Sequence, residues 1–143
     1  MNGPRLAVAA LLLLLAQASS ARDTFHDYSV DAALKSPSAT GLRKIPIYMA
    51  GQNHPPGDKI EENKSNRRTN ALNKSDQEAC DVAFLSAIFA LQDRALAVGG
   101  TAVVDIKSVT KNDTLTSATD YRCVAGAFVA NVALTGTIIK GKQ

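Results

Sequence analysis

The sequence has few of the side chains that most often hold metals or carry catalysis, with only two histidines and two cysteines in 143 residues. A metal site needs several His, Cys, Asp or Glu ligands at suitable spacing, and the two histidines, His26 and His54, lie far apart in the chain. We therefore predict no metal site and no cofactor, and we interpret His54 as an exposed residue of a turn.

Motifs typical of enzymes are also missing. The chain has no GxSxG elbow, HExxH helix, zinc-ligand spacing, glycine-rich nucleotide fingerprint or GxxxxGK[ST] phosphate loop. Asp76, Glu78 and Asp81 form an acidic group, but carboxylates at the start of a helix suit its dipole and need no catalytic explanation. We predict that the protein is not an enzyme, leaving a site without a sequence motif as the remote alternative.

The N-terminal stretch is typical of a secretory signal peptide. Arg5 precedes the apolar run LAVAALLLLLAQASSA, and Ser19 and Ala21 are the small residues expected at a cleavage site. The run is short for a membrane span, and no cysteine follows it for lipid attachment. We predict a signal peptide at residues 1–21, cleavage after Ala21, export to the periplasm and no integral membrane span in the mature chain.

The net charge is mild. Removing Arg5 lowers the formal charge from +3 to +2, which is too small to indicate nucleic acid or an anionic membrane as a partner. The chain after the signal peptide is predicted to contain an N-terminal segment, residues 22–42, and a single α+β domain, residues 43–143.

A long helix is the clearest predicted element. Ser75 and Glu78 form a capping box at its start, and Gly99 with Gly100 provides a stop. Asp81, Gln92, Asp93 and Arg94 are interpreted as its solvent-facing residues. The apolar stripe contains Cys80, Ala83, Phe84, Ala87, Ile88, Leu91, Ala95 and Val98. Their spacing predicts a helix packed on a sheet, with a partner-binding helix as the alternative.

Strands are predicted on both sides of this helix. In 101–109, Ala102, Val104 and Ile106 are expected to face one way and Asp105 and Lys107 the other. Residues 110–120 read as a polar hairpin connection. Residues 121–140 are predicted to form one long, bent or bulged strand with two apolar faces. Both faces would need cover, which the N-terminal segment or another subunit would provide, so a protein partner or homo-oligomer is expected.

The region before the helix is less regular. A short helix capped by Ser29 is predicted within 24–35, and an edge strand or strand start within 43–49, because Pro46 interrupts it. Residues 51–57 are predicted to form a turn or loop. The polar stretch 58–74 is predicted to be a solvated edge strand or a long loop. Its basic residues Lys64, Arg67 and Arg68 are expected to keep the edge solvated.

The two cysteines are expected to pair, because export leads to an oxidising compartment. We predict a Cys80–Cys123 disulfide, with two buried free thiols as the alternative. A redox role is also open, although the chain lacks the CxxC motif of oxidoreductases.

Two segments give the chain a resemblance to known families. The order helix, GGTAVVDI, polar hairpin and YRCVAGAFVANVAL resembles the periplasmic domain of the Rcs stress-sensor lipoprotein (RcsF) and YbjQ-type small proteins. The matching positions are Gly100, Thr101, Ala102, Val103, Val104, Cys123, Ala125 and Gly126. The segments NALNKSDQEAC (70–80) and CVAGAF (123–128) also resemble small exported bacterial proteins often labelled excinuclease ATPase subunits. The likeness covers most of residues 48–137.

The resemblance implies an α+β fold with one long helix packed on a small, mainly antiparallel sheet, stiffened by disulfide bonding. The chain departs from the stress sensor in lacking a lipobox cysteine, a proline-rich tether and two of its four cysteines. We therefore expect a non-catalytic periplasmic module that binds a protein or envelope component. The alternative is a redox-responsive envelope stress sensor or accessory protein that uses the Cys80–Cys123 bond.

Overall fold

A long helix lies against one face of a seven-stranded sheet in the computed structural model, which describes residues 23–142. The predicted signal peptide and its cleavage site lie outside the described residues. The strands are β1 (Thr24–Ser29), β2 (Ile47–Met49), β3 (Gly57–Asn70), β4 (Ala102–Thr110), β5 (Asp113–Leu115), β6 (Asp120–Ala125) and β7 (Val129–Gly141). The helices are α1 (Val30–Leu34), a 3-10 helix (Pro37–Gly41) and α2 (Asp76–Val98).

Strand β7 is the centre of the sheet. Along one edge it pairs with β3 from end to end, and along the other edge it pairs with β4 and with β6. Strand β1 extends the sheet beyond β6, while β2 and β5 pair with β4. The β2–β4 pair is parallel and the other described pairs are antiparallel. The predicted α+β class, with one long helix on a sheet, is confirmed, and the sheet is mixed.

Helix α2 has the ends that the sequence predicts. The Ser75 hydroxyl accepts a hydrogen bond from the Glu78 N–H at 3.1 Å, so one of the free donors of the first turn is satisfied. At the other end Gly99 has φ 78°, in the left-handed region that other residues resist. The apolar stripe is buried against β3, β6 and β7, except for Val98 at its end, which is partly buried, so α2 is a core helix.

Two residues of α2 expected to face solvent are buried instead. Asp81 is 9% exposed and Gln92 is 2% exposed. The Gln92 side chain accepts from the Arg43 N–H at 3.0 Å and donates to the Ile45 carbonyl at 2.8 Å. It therefore satisfies the backbone of the segment that leads into β2. The segment covers this flank of the helix, which the helical period alone does not reveal.

The predicted strand over residues 121–140 is two strands, β6 and β7, joined by a tight turn. The Gly126 N–H donates to the Val129 carbonyl at 2.9 Å, and Phe128 is 65% exposed. The turn changes which residues face α2, so the predicted division into two apolar faces is wrong. The residues that contribute to the core under α2 are Tyr121, Cys123, Ala125, Ala130, Val132, Leu134 and Ile138. The other face of β7 is mixed: it carries the polar residues Asn131, Thr135 and Thr137 and the buried apolar residues Ala133 and Ile139.

A bulge in β4 likewise overturns the predicted alternation of that strand. Asp105 has φ 53°, and the register against β7 shifts between Val104 and Lys107. Val103 and Ile106 therefore both belong to the main core, although they are three residues apart. The residues on the opposite face at this end form a small apolar cluster: Ala102, Val104, Ile139 and Tyr48.

The N-terminal part of the described chain belongs to the same sheet. Ser29 caps α1, accepting from the Ala32 N–H at 3.1 Å as the sequence predicts, but residues 24–29 before it form strand β1. β1 pairs with β6 in continuous register. Strand β2 begins directly after Pro46, and β3 is the predicted edge strand.

Candidate functional site

The face of the sheet turned away from α2 is here called the open face. Within the described residues, two of the three buried side-chain atoms that lack a hydrogen-bond partner belong to residues that line a cavity on this face. Side chains of β3 alternate between the two faces. Lys64, Asn66 and Arg68 lie on the open face, opposite Thr135, Ala133 and Asn131 of β7. Within residues 23–142, no helix packs on this face, because α1 and the 3-10 helix contact α2 on the other side.

An open cavity of about 490 Å³, here called the groove, runs along one half of the open face. β3 and β7 supply its floor, and β4 with the turn after it supplies one wall. Its lining includes Lys64, Asn66, Arg68, Thr110, Lys111 and Asn131. A second hollow of about 400 Å³ continues past Lys64 towards Lys107 and Thr137.

The groove is cationic because two of its basic side chains lack ion-pair partners. Lys64 and Arg68 make no salt bridge within the described residues, whereas Lys111 binds Asp23 at 2.8 Å. The Lys111 ammonium also lies 6.0 Å from the centre of the Phe25 ring, and this ring is half exposed. The groove therefore offers free positive charge beside an accessible aromatic side chain.

Two polar atoms in the lining are buried without a hydrogen-bond partner. They are Oδ1 of Asn131 and Oγ1 of Thr110. Buried polar atoms in proteins are nearly always hydrogen-bonded, and leaving one unpaired costs about 1–3 kcal/mol. Both atoms are shielded from solvent. Asn131 as a whole is half-buried, whereas Thr110 is buried, so of these two residues Asn131 is the one whose side chain borders the open groove.

The sequence identifies the basic cluster Lys64, Arg67 and Arg68, but it does not show which of these side chains share a face of the sheet. Arg67 lies opposite Val132, a helix-side residue of β7, so it points away from the groove that Lys64 and Arg68 line. The period of two along β3 is the signal that separates them. The sequence does not reveal that Asn131 and Thr135 of β7 lie opposite Arg68 and Lys64 on the open face, because residues 121–140 are interpreted as one strand.

The predicted disulfide is present on the helix side. Cys80 and Cys123 are bonded, with their Cα atoms 5.8 Å apart and both residues fully buried. The bond joins the beginning of α2 to β6. It lies on the opposite side of the sheet from the groove.

A buried carboxyl lies next to this disulfide. The Tyr121 hydroxyl donates to Asp81 Oδ1 at 2.5 Å, and the Tyr121 ring stacks on Phe84 at 4.2 Å between centroids. Burial raises the pKa of Asp81, and the hydrogen bond from Tyr121 opposes that rise. Burial also raises the pKa of Tyr121, assisted by the carboxylate. This pair holds α2 to β6.

The two histidines, which are far apart in the sequence, also contact different parts of the structure. His26 Nε2 lies 3.0 Å from Asp76 Oδ2 at the start of α2. His54 Nδ1 lies 2.8 Å from the Pro55 carbonyl in the exposed loop before β3. No group of three or more His, Cys, Asp or Glu residues suited to a metal occurs in the part of the chain that the structure describes.

Comparisons with protein-family models, with curated proteins and with solved structures find no match to this chain. None of the helices within residues 23–142 is both long and apolar enough to cross a membrane.

Proposed function

We propose that this protein is an exported, non-catalytic binding module that holds an acidic, hydroxyl-rich partner, an acidic glycan of the cell envelope, in its groove. The observation that carries the proposal is the presence of free cations beside the polar side chains of Asn66 and Asn131 in one cavity. Lys64 and Arg68 make no salt bridge within the described residues.

Each part of the groove corresponds to a chemical feature of such a ligand. Free ammonium and guanidinium groups favour carboxylates or phosphates. The exposed amide of Asn66 and the half-buried amide of Asn131 can each donate to and accept from the hydroxyl groups of a sugar. The exposed Phe25 ring at the rim offers a flat apolar surface to the C–H face of a sugar ring.

The proposed compartment is the periplasm. The signal peptide and the Cys80–Cys123 disulfide both support export, since such bonds persist in oxidising compartments. An RcsF- or YbjQ-like relationship belongs to the same proposal and rests on the segments quoted above. The binding role requires no reacting group in the groove.

The redox-responsive alternative receives less support. Thiol–disulfide exchange requires a thiolate to reach a sulfur atom, and both Cys80 and Cys123 have no exposed surface. A bond buried between α2 and β6 suits a structural staple better than a switch.

The test is calorimetric titration with oligogalacturonate fragments, using neutral dextran fragments of equal length for comparison. We expect binding of the acidic oligosaccharide alone. Lys64→Glu should weaken it about tenfold or more, because an attraction is replaced by a repulsion. Asn131→Leu should weaken it through loss of the amide.

The matched control is Arg67→Glu, which makes the same kind of charge reversal on the other face of β3. It should leave the affinity within about twofold, since exposed charges at a distance are screened. Failure to bind the acidic fragments would overturn the proposal. Equal weakening by Arg67→Glu and Lys64→Glu would also overturn it, because net charge rather than the groove would then determine affinity.

A further inference from the structure

Strand β3 has one paired edge and one free edge. It pairs with β7 along Gly57–Asn70, and no other described strand lies beside it. Residues 66–68, like most of the strand, are exposed. A long strand with a free edge presents unpaired backbone N–H and C=O groups and is a template for a further strand.

The charges along β3 divide into two halves of opposite sign. The first half carries Asp58, Lys59, Glu61 and Glu62, and the second carries Lys64, Arg67 and Arg68. When such a strand pairs antiparallel with a copy of itself, the acidic half of each strand meets the basic half of the other. In many proteins, like charges on an edge strand prevent a second strand from pairing with it. Here the charges of two antiparallel copies of β3 are of opposite sign where they meet, so they favour pairing.

We propose that the free edge of β3 is the interface of a homodimer, in which β3 pairs antiparallel with β3 of a second copy about a two-fold axis at Ser65. This register places Glu62 opposite Arg68 of the second copy, and Arg68 opposite its Glu62. Lys64 lies opposite Asn66. The paired stretch, residues 61–69, avoids the irregularity between Lys59 and Glu61.

The charged residues concerned are available for this pairing. Arg68 has no salt bridge within the described residues. Glu62 binds Lys59 at 3.1 Å, but this is a pair of exposed side chains of the kind that is weakly held. Glu61, by contrast, is bound to Arg94 of α2 at 2.5 Å and stays within its own copy.

The residue on the proposed axis has an unsatisfied group of its own. Ser65 is 4% exposed, and its Oγ has no hydrogen-bond partner. Ser65 lies on the helix side of β3, opposite Leu134, and its hydroxyl is closed to solvent. The proposed contact therefore depends on the exposed residues on either side of Ser65 and not on its hydroxyl.

Helix α2 leaves room for the second copy. The Arg94–Glu61 contact places one flank of α2 beside β3. Helical spacing puts Ser86, Ala90 and Ala97 on the same flank as Arg94. Small side chains allow the two α2 helices to approach to the usual separation of about 8–10 Å. An axis perpendicular to the sheet also puts both open faces on the same side.

The test is analytical ultracentrifugation of the exported chain over a wide range of concentrations. We expect a concentration-dependent dimer. Glu62→Arg and Arg68→Glu should each raise the dissociation constant about tenfold or more, because two attractive cross-strand pairs become repulsive. A mixture of the two variants should restore the dimer, since every opposed pair is again of opposite sign. The double variant Glu62→Arg/Arg68→Glu should dimerise for the same reason.

Lys35→Glu, an exposed charge reversal on α1, is the control for net charge and should leave the dimer unchanged. Circular dichroism would verify that each variant is folded. A monomer up to millimolar concentration would overturn the proposal. So would unchanged dimerisation of both single variants, or failure of their mixture to restore it. The dimer requires no ligand, so it can be tested apart from the glycan function. In the dimer Arg68 is paired with Glu62 of the second copy, which leaves Lys64 as the free cation of each groove.

Discussion

The two faces of the sheet use the same strands in different ways. On the helix side, Leu134 is fully buried and Asp81 is hydrogen-bonded to Tyr121. On the open face, one residue along from Leu134, Thr135 is half-buried, and Asn131 has an unpartnered amide oxygen. The helix side therefore contains the main core of the fold, whereas the open face carries the groove and a smaller apolar cluster.

The largest difference in stability between the two faces should appear when two neighbouring side chains of β7, Leu134 and Thr135, are shortened. Leu134→Ala should lower the free energy of unfolding by about 2–5 kcal/mol, because it leaves a cavity under α2. Thr135→Ala should change it by no more than about 0.5 kcal/mol. Urea unfolding of both variants measures the difference, and equal losses would contradict the assignment of the core to one face.

Removal of the disulfide should have the next largest effect. Cys80→Ala with Cys123→Ala should lower the free energy of unfolding by about 2–4 kcal/mol, since the bond closes a loop with a sequence separation of 43 residues. Affinity for the acidic oligosaccharide should stay unchanged in the folded variant. A change in that affinity, with the fold intact, would instead favour the redox-responsive alternative.

The smallest expected effect is on pH dependence and concerns the buried carboxyl. Burial raises the pKa of Asp81 in the folded protein, so the folded state binds this proton more tightly than the unfolded chain does. Its contribution to stability is therefore full below the ordinary aspartate pKa and is lost as pH rises through the raised value. Asp81→Asn removes this loss and keeps an oxygen that can accept from Tyr121.

The measurement is urea unfolding of Asp81→Asn and the parent protein at matched pH values from about 3 to 7. The variant should gain stability relative to the parent as pH rises through that window. Asp27 and Asp93, whose pKa values are lowered by arginine partners, make the opposite contribution to the pH dependence of stability. Because both residues are present in the variant and in the parent, their contributions cancel in the difference between the two proteins. A difference that is constant with pH, or that falls as pH rises, would show that Asp81 carries no such penalty.

Local signals predicted those parts of the fold that depend on local chemistry. The cap at Ser75 and the left-handed Gly99 define α2 because both act within a turn of the helix. Ser29 predicted α1 for the same reason, and Pro46 correctly marked the start of β2. The cysteine pair needed only the inference of export.

Features that depend on contacts between distant segments were missed. Asp81 and Gln92 are polar, so the sequence predicts that they face solvent. In the structure they are buried and hydrogen-bonded, Asp81 to Tyr121 and Gln92 to the backbone of Arg43, and both partners lie 40 or more positions away in the chain. The Gly126 turn was hidden in an unbroken apolar run. Because that turn resets the alternation of β7, the groove could not be located from the sequence, although two of its cations were recognised.

The position of β7 has a consequence for the order of folding events. It joins β3, β4 and β6, yet it is the last described strand in chain order. As the chain emerges from the ribosome, residues before 129 hold both cysteines and most of the described strands, but they lack the strand that connects them. The complete sheet therefore assembles only after nearly the whole described chain has emerged.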